Sequence, residues 1–343
     1  MQHLDELIAT AKRLMTGDKG LLAMDESTNS IHRRFARVGI PRTVENRRAY
    51  RQIIVTTPGI GEFLSGAILM EETVHESTDE GVPFLAILQD AGILPGIKVD
   101  EGTIDLAGFP QEKITVGLDG LRERLREYHK MGLRFAKWRA VISIGPDTPT
   151  EGAIVANMHE LARYAAFCQE AGILPIVEPE VLMDGDHGID RCAEITRRVL
   201  HQLFHQLNLQ QVHLRCLLLK PNMIISGLGA ARQAGIREVA EATVECLMEC
   251  VPAAVPGIAF LSGGQSPEKA TAHLNAIKSL DPGLPWAVTF SYSRAIQQPA
   301  LELWAGQYEN TIAAQEVLFR RLQLLSLARR GIYRPALEDG SRD

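Results

Sequence analysis

The run Leu214-Arg215-Cys216-Leu217-Leu218-Leu219 ends on Lys220, and Pro221 follows at once. A short apolar run closed by a turn signal reads as a buried strand. A residue before proline is biased to extended backbone, which puts Lys220 at the last position of that strand. An amine there lies beside a dry core, and burial disfavours its charged form. A lysine kept uncharged is a nucleophile, and the chemistry that suits it is Schiff-base formation with a carbonyl.

The same pattern recurs along the chain. Gly20–Met24 leads to Asp25, Gly66–Met70 to Glu71, and Pro95–Ile97 to Lys98. Phe135-Ala136 leads to Lys137, with Arg139 two residues on, and Leu174–Val177 leads to Glu178, with Glu180 two residues on. Gly257–Leu261 leads to Ser262, and Trp286–Phe290 to Ser291. With the Lys220 run these make eight strands, and helix-like segments fill the gaps. Alternating strands and helices in that number predict a (β/α)₈ TIM barrel, whose active site lies at the carboxyl ends of the strands. Surface charges have no reason to coincide with strand ends, so the coincidence points to a site.

At 343 residues the chain fits one barrel of about 250 residues with additions. It is read as a single domain over 1–343, opened by an amphipathic helix on Leu4, Leu7, Ile8, Ala11, Leu14 and Met15. A polar, mobile tail over about 331–343 is expected to close it. The segment Glu101–Gly117 reads as a long loop. The net charge of −6 argues against a nucleic-acid partner. No apolar run approaches the length of a membrane span. The acidic start is unlike a signal peptide, and five cysteines without a Cys-x-x-Cys fit a reducing cytoplasm.

Residues two apart on extended backbone face the same side, so Lys137 with Arg139, and Glu178 with Glu180, are expected to point into the barrel mouth. A lysine of ordinary pKa, about 10.4, is neutral in roughly four molecules per ten thousand at pH 7. Burial and a neighbouring cation raise that fraction, and Lys137 is the candidate neighbour. The carboxylates are then available to move protons. Ser262-Gly263-Gly264 and Ser291-Tyr292-Ser293-Arg294 follow the last two strands, where this fold often builds a phosphate site. Gly263 and Gly264 let backbone approach an anion, and Arg294 adds a bidentate clamp. Ser30 and Arg34, after Asp25, are candidates for a second anion site, although Ser27-Thr28 also reads as ordinary helix capping. Two phosphate cradles flanking a lysine suggest a sugar bisphosphate.

Three other motifs lead nowhere. Gly227-Leu228-Gly229-Ala230-Ala231-Arg232 lacks the third glycine of a dinucleotide loop. His201 and His205 lack the glutamate of a zinc-protease motif. Asp184-Gly185-Asp186-His187 reads as a polar loop before a helix.

Taken together, the chain resembles the class I fructose-bisphosphate aldolases. The resemblance rests on Ala23–Thr28, Glu45–Arg48, Gly96–Asp100, Phe135–Arg139, Val177–Glu180, Leu218–Met223, Phe260–Ser266 and Thr289–Tyr292, which are collinear and span nearly the whole chain. It implies reversible cleavage of fructose 1,6-bisphosphate to dihydroxyacetone phosphate and glyceraldehyde 3-phosphate. Another Schiff-base aldolase or transaldolase, acting on a different phosphosugar, is the alternative. It implies Lys220 as Schiff-base lysine, Glu178 as general acid/base, Asp25 as orienting group, and Lys137 paired by Glu180. Ser262, Gly263, Gly264, Ser291, Ser293 and Arg294 are implied at the ketose-end phosphate, and Ser30, Arg34, Lys98 and Arg139 at the other end. No metal, no cofactor, a cytoplasmic location and a homotetramer are implied as well. Two departures stand out. Ser293 replaces a common glycine, and the last tyrosine is Tyr333, whereas many animal and plant members end on a tyrosine that reaches the site.

Overall fold

The computed structural model describes residues 3–280 and 283–339. Eight parallel strands close into a barrel: β1 (Gly20–Met24), β2 (Leu64–Leu69), β3 (Leu94–Lys98), β4 (Phe135–Ile142), β5 (Leu174–Val181), β6 (Leu218–Leu219), β7 (Gly257–Phe260) and β8 (Ala287–Tyr292). Each pairs with its neighbours in chain order, and β8 closes on β1 with Ser291 opposite Leu21. The expected barrel is therefore present, as is the opening helix, Leu4–Leu14.

Side chains of a strand alternate between its two faces. Here the inward set is Leu21 and Ala23 on β1, Leu94 on β3, Phe135 on β4, Leu174 and Ile176 on β5, Leu218 on β6 and Ala259 on β7. Leu7, Ala11 and Leu14 of the opening helix join this cluster and plug one end of the barrel. Phe135 fills the interior so fully that a Cβ on Gly96 would stand 2.3 Å from its ring. Only glycine fits there. The outward residues, such as Leu22, Met24, Trp138 and Val177, pack in a second and larger core under the helices. Continuing the inward parity by one step reaches Asp25, Lys137, Glu178 and Lys220, and by two steps from Leu94 and Ala287 reaches Lys98 and Ser291. The alternation that fills the barrel with hydrocarbon thus sets charge at its mouth.

Three expectations need correction. The Lys220 run is a strand only at Leu218–Leu219, because Leu214–Cys216 is a 3₁₀ turn. Gln169 explains it: its amide donates to the carbonyls of His213 and Cys216 at 3.0 and 2.9 Å, satisfying backbone that a sheet would otherwise pair. Lys220 still donates its N–H to Val177 O at 2.8 Å, so its backbone continues the ladder. The loop read over Glu101–Gly117 contains a hairpin, Thr103–Asp105 with Lys113–Thr115. Its strands are too short to show a period. The tail is docked over 331–339. Tyr333 is buried, its N–H donates to Asn275 Oδ1 at 2.8 Å, its hydroxyl donates to Glu338, and Glu338 pairs with Arg321. Residues 340–343 of the expected tail lie outside the described residues. Among the described residues no helix is long and apolar enough to cross a membrane.

Candidate active site

Four charged side chains from four strands form one continuous ionic chain at the barrel mouth. Lys137 Nζ lies 2.7 Å from Asp25 Oδ2 and 3.1 Å from Glu178 Oε2. Lys220 Nζ lies 3.0 Å from Glu178 Oε1. All four are at least nine-tenths buried. Glu178 therefore holds one lysine with each oxygen. A buried charge survives only when paired, and this geometry pairs each one.

The charges set one another. Burial pushes the Asp25 carboxyl up, but Lys137 and Lys220 outweigh it and hold it well below the usual carboxylate range. Burial pushes Lys137 down, but Asp25 and Glu178 outweigh it and hold it well above the usual lysine range. Lys137 is thus a fixed cation across a single carboxylate from Lys220. It has two carboxylate partners, whereas Lys220 shares one.

Glu180 does not pair with Lys137 as expected. It is ion-paired with Arg139. Register gives the reason: Lys137 stands opposite Ile176, whereas Arg139 stands opposite Glu178 and Val141 opposite Glu180. Arg139 and Glu180 form the next layer outward, and the guanidinium is long enough to span it. Both β4 and β5 run past the first charged residue, which lifts this second layer above the first.

The phosphate candidates divide into two groups. After β7, Gly263 and Gly264 adopt positive φ, 57° and 103°, which favours glycine. A Cβ on Gly264 would stand 3.0 Å from Arg294 Nη2, so the guanidinium lies directly over this turn. Ser262 and Ser291 are buried beside it, and no described group bonds to Ser291 Oγ. Arg294 is exposed and has no carboxylate partner among the described residues. Loose cations and left-handed glycines are the parts of an anion cradle.

The second group is tied internally. Arg34 is buried and pairs with Glu26, whose other oxygen lies 2.7 Å from Arg51 Nη1. Ser30 Oγ accepts from Arg33 at 3.1 Å and from Ser27 at 3.1 Å, and Ser27 caps the helix Thr28–Arg37 through Ser30 N. The capping reading of that segment therefore holds. Lys98 bends back to Asp100, 2.6 Å from both its carboxylate and its carbonyl. Ser293 sends its hydroxyl to Glu26 at 2.7 Å and accepts from Gln297 Nε2 at 3.3 Å. The serine is thus a strut between the β8 and β1 loops.

Glu26, Arg51, Asp100 and Gln297 were not found from the sequence. Asp100 had a signal: it repeats the two-residue step of Lys137–Arg139, and its carboxylate also accepts from Arg139 N at 3.3 Å. Glu26 had only its place beside Asp25. Its partners are scattered over three elements, and burial that raises its pKa is outweighed by Arg51, Arg34 and Ser293, which pull it down to about 2.

Comparison with known proteins gives a consistent result. The family model described as fructose-bisphosphate aldolase class-I matches residues 6–343. A protein named probable fructose-bisphosphate aldolase class 1 from Xanthomonas campestris pv. campestris is 52% identical, covering 96% of this chain and 98% of its own length. The cytoplasmic isozyme of fructose-bisphosphate aldolase from Spinacia oleracea is 48% identical over 97% of this chain and 93% of its own. A solved fructose-bisphosphate aldolase from Plasmodium falciparum, in complex with TRAP and a small-molecule inhibitor, superposes with a TM-score of 0.95 at 46% identity, covering 97% and 96% of the two chains.

Proposed function

The chain belongs to the class I fructose-bisphosphate aldolase family, and on that footing we propose which of its side chains perform the reaction. The protein is a metal-independent lyase that reversibly cleaves fructose 1,6-bisphosphate to dihydroxyacetone phosphate and glyceraldehyde 3-phosphate through a lysine Schiff base. The amine is Lys220. Its contact with Glu178 at 3.0 Å carries this reading, because a carboxylate in hydrogen-bond reach can take the proton the amine must lose.

The steps follow from that contact. Lys220 adds to the ketose carbonyl, and the carbonyl oxygen takes up a proton to give a carbinolamine. Glu178 returns a proton to that hydroxyl, which leaves as water, and an iminium remains. The carbon–carbon bond then breaks toward the iminium. Its electron pair forms an enamine, and the departing half loses its hydroxyl proton and leaves as an aldehyde. Glu178 is the group that accepts that proton. Asp25 is held too strongly as an anion to be a good base, so its role is to orient Lys137 and the substrate hydroxyls. Lys137 offsets negative charge developing on oxygen. Protonation of the enamine and hydrolysis release the second product and restore Lys220.

Arg294 with Ser262, Gly263, Gly264 and Ser291 receives the ketose-end phosphate. Ser30, Arg34, Lys98 and Arg139 face the other end, and the three cations keep their carboxylate partners. We assign the enzyme to the cytoplasm, in keeping with the name of the spinach relative. A homotetramer of single-domain chains is the assembly the family resemblance implies. In a coupled cleavage assay Lys220→Met is expected to lose at least about 10⁴-fold in kcat while keeping its circular dichroism. Turnover within tenfold of the parent would exclude Lys220 as the nucleophile.

A further inference from the structure

Lys220 stands at the end of the shortest strand of the barrel. β6 has two residues, whereas its neighbours β5 and β7 have eight and four. A nucleophile so placed has little ladder to hold it. Its backbone N–H donates to Val177 O at 2.8 Å, which sets Lys220 opposite Glu178, in the register of Ile176 with Leu218 and Val177 with Leu219. The next rung of a parallel ladder would run from the N–H of position 179 to the carbonyl of Lys220. That position is Pro179, which has no N–H. Pro221, on the facing segment, cannot donate either. The sheet therefore stops at the pair that must stay in contact, Lys220 Nζ and Glu178 Oε1 at 3.0 Å.

Asn222 takes up the ladder beyond this gap. In continued register the N–H of Val181 would meet the backbone carbonyl of Asn222. It donates instead to the side chain of that same residue, Oδ1 at 3.1 Å. The other end of the amide fixes its sense: Nδ2 donates to Met223 O at 3.1 Å and to Thr196 Oγ1 at 3.3 Å, on the helix Ile189–Leu209. Asn222 is buried, and a buried amide with these bonds made holds one orientation. On the far side Leu261 N donates to Pro221 O at 3.1 Å, which ties the intervening residue to the segment after β7. None of these bonds involves Asp25, Lys137, Glu178 or the Lys220 side chain.

We propose that Asn222 is a positioning residue for the Schiff-base step, its side chain replacing the rung that Pro179 removes and so keeping the backbone of Lys220 in register with that of Glu178. The inference rests on Lys220 as the nucleophile. It separates two tasks of the site. Phosphate binding is supplied by Arg294 and the turn at Gly263 and Gly264, on segments that follow other strands. The meeting of amine, carboxylate and substrate carbonyl depends on β5 and β6 alone. A displacement near 1 Å of a reacting group costs about 10²-fold in rate. Loss of the tie should therefore slow imine formation and spare the hold on the phosphates.

Imine formation with dihydroxyacetone phosphate is timed in the full chain by borohydride quenching, with the adduct on the Lys220 peptide counted by mass spectrometry. Affinity for the hexitol 1,6-bisphosphate made by reducing the substrate, which keeps both phosphates and has no carbonyl, is measured alongside by calorimetry. Asn222→Leu, which keeps the volume and loses the acceptor, is expected to slow the imine by about 10- to 100-fold, with the hexitol affinity held within about threefold. Asn222→Asp, which keeps an acceptor for Val181 N, is expected to return to within about fivefold of the parent rate. Thr196→Val, which frees the amide to turn, serves if Asn222→Leu does not fold, with a loss of about threefold or more expected. An imine rate unchanged in whichever of Asn222→Leu and Thr196→Val is used, an equal loss in hexitol affinity, or a larger loss in Asn222→Asp would overturn the role of Asn222 and leave Lys220 as the nucleophile. An adduct absent from Lys220 in the parent would overturn that assignment itself, and the positioning role with it.

Discussion

The ionic chain and the arginine rim occupy one barrel mouth but are assembled by different rules. In the chain, Asp25, Lys137, Glu178 and Lys220 each occupy the next inward position after a buried apolar residue of the same strand or its immediate extension. Strand parity brings them together, and their partners are one another. In the rim, Glu26, Arg34, Ser293 and Arg294 sit on loops and on helix ends, and Glu26 joins a near neighbour, Arg34, to Ser293 from the other end of the sequence. The first region is organised for proton movement over about 3 Å. The second has one half locked around Glu26 and one cation, Arg294, left available. The difference teaches that chemistry is built on the rigid part of the fold and binding on the adjustable part.

Four changes sharpen that contrast. Glu178→Gln should have the largest effect. It removes the group that serves both lysines, so kcat should fall by about 10²–10⁴-fold, with KM changing far less. A fall below tenfold would move the proton chemistry to another residue.

Glu26→Gln should act on stability first. The carboxyl moves from an ordinary 4.5 to about 2 in the folded protein, which corresponds to about 3 kcal/mol. Because the folded value is depressed, this stabilisation is fully present above the unfolded value. It is lost as pH falls from about 4.5 toward about 2. Urea unfolding from neutral pH down through that range should show the variant weaker than the parent near neutrality and the gap closing in acid. A gap that is constant with pH would show that the carboxylate charge is not what Arg34 and Arg51 use.

Arg294→Ala should raise KM for fructose 1,6-bisphosphate by about 10- to 100-fold, as for loss of a charge-assisted bond, with kcat nearly unchanged. An equal loss in kcat would place Arg294 in the ionic chain's task. Ser293→Ala should be mildest. It loses one hydrogen bond to Glu26, worth about 1 kcal/mol, so KM should rise about fivefold and Ser293→Thr should restore it. An unchanged KM would make the strut irrelevant to phosphate binding.

The same contrast explains what could be read in advance. The barrel was legible because buried runs such as Gly20–Met24 and Leu174–Val177 end on charge at regular intervals, and parity carries Asp25 and Lys220 inward without knowledge of their neighbours. The partner of Glu180 was not legible. It depends on how far β4 and β5 extend beyond Lys137 and Glu178, and the register of that extension is a property of two strands at once. Glu26 escaped notice because Ser293 meets it only when β8 closes on β1, and Arg34 and Arg51 reach it from two successive helices after β1. The 3₁₀ turn at Leu214–Cys216 was hidden for a similar reason: Gln169, on a distant helix, decides it. The docked tail over 331–339 likewise relies on Asn275 and Arg321, which composition alone does not reveal.

Borohydride reduction in the presence of dihydroxyacetone phosphate, followed by peptide mapping, tests the centre of this account. A three-carbon adduct is predicted on Lys220 alone, absent from Lys220→Met and slow to form in Glu178→Gln. An adduct on Lys137 or Lys98, or labelling undiminished in Lys220→Met, would contradict it.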